Sequence, residues 1–329
     1  MADRSKIEWT DATWNPITGC SVVSPGCTNC YAMRLAGTRM RNHPSRKWLT
    51  KDSKAGPVWT GEVRLNEEWL LQPLLWKRPR RIFVCAHGDL FHESVPDDWI
   101  DRVFAIMALA PQHTFQVLTK RSKRMRDYIG MRGGDWQIVL SESCPPGSLP
   151  ITKADVYRHL GLSGKFDYDP PTPAWPLPNV HLGISAEDQR RWDERWPNLQ
   201  VTPAVARIVS AEPLLSDIKM RGAKPDWVIV GGESGPNARP MNPDWARSLR
   251  DQCAAAGIPF MFKQWGEWLP RSHLNPTGMA NSAASAVAWK SDVHRFYLPT
   301  EQYVFRVGKR RAGRLLDGVE HNEMPEVRR

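Results

Sequence analysis

No stretch of this 329-residue chain approaches the roughly 20 consecutive apolar residues that span a bilayer. The opening Met-Ala-Asp-Arg-Ser-Lys-Ile-Glu-Trp lacks the apolar core of a secretory signal, so a cytoplasmic protein with no membrane partner is expected. Six cysteines in a chain of this length are too few and too unevenly spaced for a disulfide scaffold. No internal repeat at a fixed period stands out. Acidic residues are also short, 35 Asp and Glu against 45 Lys and Arg, for a net charge of +10. That balance suits an anionic partner such as nucleic acid or a nucleotide, although a basic but ordinary soluble enzyme carries it equally well.

What the chain does have is a cluster of thiols. Three of the six cysteines fall in Gly19-Cys20-Ser-Val-Val-Ser-Pro-Gly-Cys27-Thr-Asn-Cys30-Tyr31, a C-x6-C-x2-C spacing followed by a tyrosine. Three thiolates on one loop make a soft donor set that suits an iron–sulfur cluster or zinc and suits magnesium or calcium poorly. A fourth cysteine is missing from the segment. Closed structural metal sites use four protein ligands, whereas an open position is where a metal centre takes a substrate. Cys85 and Cys253 lie in apolar runs and read as core thiols. Cys144, in Ser-Cys-Pro-Pro-Gly, receives no role. The sixteen tryptophans are expected to fill the core and pocket walls.

Short β-branched runs alternate with amphipathic helical stretches. Strands are expected at Arg81–Ala86, Thr114–Leu118, Val180–Ile184, Arg207–Ser210, Trp227–Val230 and Pro259–Lys263, with a first one near Thr13–Thr18. Helices are expected at Asp97–Leu109, after Val95-Pro96, and at Pro243–Ala256, before Gly257. This rhythm predicts an α/β fold with a mostly parallel sheet, a complete or partial (β/α) barrel of the TIM type. Residues 131–178 are dense in proline and glycine and read as an insertion, with one short helix near Ile151–Leu160. The division is therefore a barrel over residues 1–270, with that insertion, and a C-terminal cap or extension over 271–329.

In a parallel barrel the ligand site forms where the strands end. Seven consecutive strand ends here carry polar groups: the cysteine loop, His87-Gly-Asp89-Leu-Phe-His92-Glu93, Thr119-Lys120-Arg121, Ser185-Ala-Glu187-Asp188, Ser210-Ala-Glu212-Pro213, Gly231-Gly232-Glu233 and Lys263-Gln264. An acid after a strand is commonly a helix cap, the plain reading of Glu187 and Asp188. Gly231-Gly232 suits close backbone approach to a ligand, and Glu233 could accept from a ligand ammonium. The run Lys120 to Arg126 packs five cations into seven residues, either a solvated helix face or a phosphate strip. His43, His87 and His92 are candidates for a fourth metal ligand.

The cysteine loop, the barrel rhythm and the Gly-Gly-Glu turn together resemble the radical S-adenosylmethionine (radical SAM) superfamily. Its usual spacing is C-x3-C-x2-C, so the first gap here is three residues longer. Over most of the chain, segments such as Trp14-Asn-Pro-Ile-Thr-Gly-Cys20, Asp89-Leu-Phe-His92, Phe115-Gln-Val-Leu-Thr-Lys-Arg121, Val230-Gly-Gly-Glu-Ser-Gly-Pro and Phe262-Lys-Gln-Trp-Gly266 are similar to a phage- and prophage-encoded family. That family goes by the phage gene-product names gp thirty-seven and gp sixty-eight and is treated as radical SAM-like.

The resemblance implies a [4Fe–4S] cluster on Cys20, Cys27 and Cys30, whose open iron binds S-adenosylmethionine. Reductive cleavage would then yield a 5′-deoxyadenosyl radical, fed by an external one-electron donor. The substrate expected is a nucleotide or nucleic-acid base, in the host cytoplasm for a phage-encoded chain. In the superfamily a Gly-Gly-Glu after the second strand binds the methionine amino group. Gly231, Gly232 and Glu233 follow a much later strand, and Asp89 stands nearer that place. Glu212, Lys263 and Gln264 are further candidates for holding cofactor or substrate. Two other readings stay open: a zinc-bearing nucleic-acid-binding protein, and a non-catalytic accessory protein.

Overall fold

The structure is a computed structural model that describes residues 5, 7–132, 175–273, 292–297 and 300–325. Its strands are β1 (Ala12–Trp14), β2 (Ile17–Thr18), β3 (Thr50–Ser53), β4 (Gly56–Trp59), β5 (Arg64–Leu65), β6 (Arg81–Val84), β7 (Thr114–Thr119), β8 (Val180–Ser185), β9 (Arg207–Ala211), β10 (Trp227–Gly231), β11 (Phe260–Gln264), β12 (Trp268–Pro270), β13 (Val293–Phe296) and β14 (Gln302–Arg306). The α-helices are α1 (Tyr31–Gly37), α2 (Glu67–Leu70), α3 (Gln72–Leu75), α4 (Asp97–Leu109), α5 (Ser122–Arg132), α6 (Gln189–Val201), α7 (Pro243–Ala256) and α8 (Lys309–Ala312).

Seven strands form one all-parallel sheet in the order β1-β6-β7-β8-β9-β10-β11, curled into a half-barrel. Six of the seven fall where the sequence predicts them, to within a residue or two. The expected strand over Thr13–Thr18 divides instead. Pro16 has no N–H to give a ladder, so β1 stops at Trp14. Beyond it β2 pairs antiparallel with β5, and Asn66 closes the break by donating to Asn15 O and Pro16 O.

Side chains alternate across the sheet with period two. The outward set, including Val84, Val117, Leu182, Val209, Val228 and Phe262, joins the main core beneath the helices. The inward set, Ile208, Trp227, Ile229 and Met261, packs with Trp9, Phe83 and Leu118 in a smaller cluster that closes the bottom of the half-barrel.

Local signals set the helix ends. Asp97 and Asp98 occupy the first turn of α4. The Asn242 side chain accepts from Asp244 N at 2.9 Å to cap α7, and Gly257 takes the left-handed conformation (φ 66°) that ends it. Within the expected insertion, α5 extends through Arg132. Residues 133–174, with the helix expected near Ile151–Leu160 and Cys144, lie outside the described residues.

After β11 the chain forms the antiparallel sheet β12-β14-β13 and the short α8. The final described segment returns to β11: Met261 bridges Asn322, and Phe262 N donates to His321 O at 3.0 Å. It thereby covers a strand edge that would otherwise offer unpaired groups. No helix among the described residues is long and apolar enough to cross a membrane.

Candidate active site

Because all seven strands run the same way, their C-terminal ends gather on one side, and a cavity of about 270 Å³ opens there. Its wall takes Lys120 after β7, Ser185 from β8, Ser210 and Glu212 at β9, Gly232 and Glu233 after β10, and Lys263 and Gln264 from β11. Cys20, Cys27 and Cys30 face the same space. Residues more than two hundred positions apart thus meet because the sheet is parallel.

The cysteine loop lies across these strand ends and is fastened to four of them. Near β6, the Tyr31 hydroxyl donates to Ala86 O at 2.8 Å. After β7, Arg121 donates through Nη2 to Ser21 Oγ at 2.6 Å and approaches Cys20 Sγ through Nη1 at 3.5 Å. After β8, Glu187 Oε1 accepts from Gly26 N at 3.1 Å. After β10, Glu233 Oε2 accepts from Asn29 Nδ2 at 2.8 Å. The loop enters through Gly19 (φ 98°), where a Cβ would lie 2.1 Å from Glu62 O, so only glycine fits.

These contacts separate the candidate residues by task. Asp89 lines the cavity, but its carboxylate is filled by the protein: Oδ1 accepts from Phe91 N and Thr119 Oγ1, Oδ2 from Lys120 N and Arg121 Nη1. Glu233 is likewise engaged, by Asn29 and by Arg239 through its backbone and guanidinium. Burial works against the Glu233 charge, but Arg239 overrides it and holds the carboxyl below the usual range. Both acids hold the loop or its supports in place.

The groups left facing the space are others. Lys263 Nζ pairs with Glu212 Oε2 at 2.6 Å, while Glu212 Oε1 has only a 3.4 Å contact from Ser210 Oγ. Gln264 donates to Ser234 Oγ at 2.7 Å and to Gly232 O at 3.2 Å, and its buried Oε1 has no hydrogen-bond partner. An unsatisfied buried acceptor is costly, and this oxygen is itself closed off from the open space while the rest of Gln264 lines the wall. Gly232 is a steric necessity, since a Cβ there would lie 2.0 Å from Trp265 O. Gly231 does not face the cavity itself, and a Cβ on it would press the Glu212 carboxylate at 3.2 Å.

Burial pushes the Cys20 thiol up to about 12, with Asp89 adding to the shift and Arg121 opposing it. Burial raises Cys30 too. Cys85 is buried, as its apolar run predicts, yet it also reaches the cavity wall and is the fourth thiol there. Among the described residues, no three His, Cys, Asp or Glu side chains are gathered around one point suited to a metal ion. The three loop thiols share a wall without converging.

None of the candidate histidines lines the cavity. His43 bonds Ser45 Oγ through Nδ1. His87 Nδ1 meets Arg46 Nη2 at 2.6 Å, and burial beside that cation pulls its pKa down to about 4. His92 accepts from Ser94 N at Nδ1 and so presents Nε2–H to Ser21 Oγ, 3.0 Å away. Asp188 is the helix cap that its position suggests, accepting from Arg191 N at 2.8 Å. Glu187 is not a cap: fully buried, it pairs with Arg195 at 2.9 Å and holds Gly26.

In the cationic run after β7 the three arginines are paired with acids, while Lys123 is exposed and Lys120 lines the cavity. Arg121 pairs with Asp89 and Glu93, Arg124 with Asp97, and Arg126 with Asp127. Sequence reading passed over Asn29, placed Arg121 only in a polar strand end and a cationic run, and read Cys85 only as a core thiol. A cation directly after a strand and an asparagine between two clustered cysteines were the available signals for Arg121 and Asn29. Nothing in the apolar run around Cys85 marks it.

A family described as "protein of unknown function (DUF5131)" matches residues 4–325. Comparison with curated proteins gives no match, and neither does comparison with solved structures.

Proposed function

The chain belongs to the DUF5131 family, and we propose that it is a radical SAM enzyme acting on a nucleotide or a nucleic-acid base. The observation that carries this reading is the shared cavity: three thiols of one loop face polar groups from the ends of five parallel strands. A zinc module needs only its ligands and has no use for that convergence. The finer architecture belongs to the same reading, with the seven-stranded sheet as a partial TIM-type barrel, the insertion at 131–178 and a cap over 271–329.

The donor set fits the group in its chemistry. Cys20, Cys27 and Cys30 would hold a [4Fe–4S] cluster, with a three-cysteine loop leaving one iron free for a small ligand. When bound, the cluster supplies an electron at low potential from an external donor, and S-adenosylmethionine supplies the reactive adenosyl group.

The chain's own residues have separate tasks. Gln264 donates to Ser234 Oγ and Gly232 O and so fixes the turn after β10 against the cavity wall. Glu212 and Lys263 place a negative and a positive group side by side, a match for a zwitterion or for a base edge with both donor and acceptor. Trp59 and Phe83 contribute apolar wall that keeps water away, which protects a reactive species from quenching. Arg121 and Glu187 keep the loop seated over the strand ends.

The test is anaerobic purification with iron and sulfide analysis, then addition of dithionite and S-adenosylmethionine and an assay for 5′-deoxyadenosine. A brown protein that releases 5′-deoxyadenosine is the expected result. One tightly bound zinc in a colourless protein would overturn the reading, and a cluster without cofactor cleavage under any substrate would favour the accessory role.

A further inference from the structure

Among the described residues most large aromatic side chains are buried, and Trp48 is more exposed than the two exposed tyrosines, Tyr31 and Tyr297. It is 74% exposed and holds φ 74°, a left-handed conformation that costs a bulky residue energy. Structure that keeps a tryptophan both strained and in water has a use for its indole. Lys47 Nζ sits 4.9 Å from the ring centroid, leaving the rest of the ring open.

The surroundings are one-signed. Residues 34–54 contain seven Lys and Arg against a single acid, Asp52. Arg34, Arg39, Arg41, Lys47, Lys51 and Lys54 are exposed, and Asp52 is taken up by Arg41 at 2.7 Å. The platform is firm. Ala32, Met33 and Ala36 of α1 pack with Leu49 and Trp59 in their own small core, against which Cys20 and Cys30 also rest.

The platform also borders the cavity. Thr60 N donates to Leu49 O at 3.0 Å and Thr60 Oγ1 contacts Trp48 O at 3.4 Å, which ties Trp48 to the neighbour of Trp59 on the cavity wall. At the other end, Arg34 lies against Gly235, in the turn that follows Glu233.

We propose that α1 and the β3–β4 hairpin form a docking surface for single-stranded nucleic acid. Trp48 stacks one base, the flanking cations meet phosphates, and a nearby nucleotide is presented to the cavity. Stacking on an exposed indole requires an open base face, which a duplex withholds and a single strand offers. This inference names the substrate class for the function proposed above and rests on that reading for the catalytic purpose of the surface. The surface itself is tested without any cofactor.

The experiment is fluorescence anisotropy with the full chain and single-stranded DNA and RNA oligomers of about 16 nucleotides. The same sequence as duplex, and phosphatidylserine vesicles, complete the set. Single strands, of one sugar type or both, should bind more tightly than duplex. Trp48→Ala should weaken that binding about tenfold, the cost of one lost stack, while Trp48→Phe retains most of it. Lys51→Ala should lower the slope of log affinity against log salt by about 0.7 for its lost phosphate.

Unchanged affinity in Trp48→Ala, equal binding of duplex, or binding to vesicles but not to oligomers would overturn the proposal. Circular dichroism of each variant checks folding, which an exposed side chain should not disturb. Running the titrations on Cys20→Ala as well keeps the two readings apart. Trp48-dependent binding with no 5′-deoxyadenosine from the wild type sinks the radical chemistry and leaves the docking surface standing.

Discussion

Four cysteine side chains reach one cavity, yet only three share a loop. That difference predicts a clean division among variants. Cys20→Ala, Cys27→Ala and Cys30→Ala should each purify with little iron and sulfide per chain, whereas Cys85→Ala, which removes a thiol from the end of β6, should keep both. Iron retained by a Cys27→Ala protein would show that the three thiols do not act as a set. Arg121 makes a second residue-scale case. Its guanidinium and the Asp89 carboxylate are both almost wholly enclosed, at 4% and 6% side-chain exposure. Arg121→Gln leaves a buried carboxylate without its cation, so the expected loss is about 3–5 kcal/mol of unfolding free energy, measured by urea titration. Asp89 follows β6 and Arg121 follows β7, in two different strand–loop units, and their pairing was not legible in the sequence. Chain separation conceals every partner that is chosen across a sheet.

At the scale of elements, local chemistry was far easier to read. α4 and α7 occupy the predicted spans because proline, acid and glycine signals act within a few residues of each helix end. Asp188 belongs to the same class. Asp188→Ala should cost about 1 kcal/mol through the lost cap on α6, seen as a lower denaturation midpoint with an unchanged denaturant slope. Glu187, the adjacent acid, carries a tertiary task instead. Glu187→Gln weakens its pair with Arg195 and its hold on Gly26, so the cysteine loop should become more accessible. Faster alkylation of Cys27 than in the wild type, with Asp188→Ala as the control, is the expected outcome. Two neighbouring carboxylates with the same propensities thus diverge because one side chain turns along α6 and the other turns inward.

For the whole molecule, the inner face of the half-barrel links folding to pH. His181 is buried on β8, and burial pulls its pKa down to about 4 against the partial opposition of Asp226. His87 is lowered to about 4 as well. An unfolded histidine takes up its proton near pH 6.5, while these two remain neutral in the fold until about pH 4. Between those values the unfolded chain binds more protons, so stability rises with pH across that window and is lost on acidification through it. For His181 the shift from 6.5 to about 4 corresponds to on the order of 3 kcal/mol. Thermal midpoints measured from pH 4 to 7 should climb and then level, and His181→Gln should flatten the climb. A midpoint independent of pH in that range would falsify this assignment.

By itself the sequence determined six of the seven parallel strands, the ends of α4 and α7, the α/β class and the edge on which polar groups would gather. All of these follow from periodicity and from signals within a few residues. Only the tertiary structure decided which strand-end groups face open space and which are spent on holding the chain. Glu233 and Asp89 turned out to be fasteners, Gln264 fixes the turn after β10, and Trp48 stands in water beside the cavity. The reason is physical. A carboxylate's task depends on the donors that surround it, and here those donors come from strands that meet only after the sheet has curled.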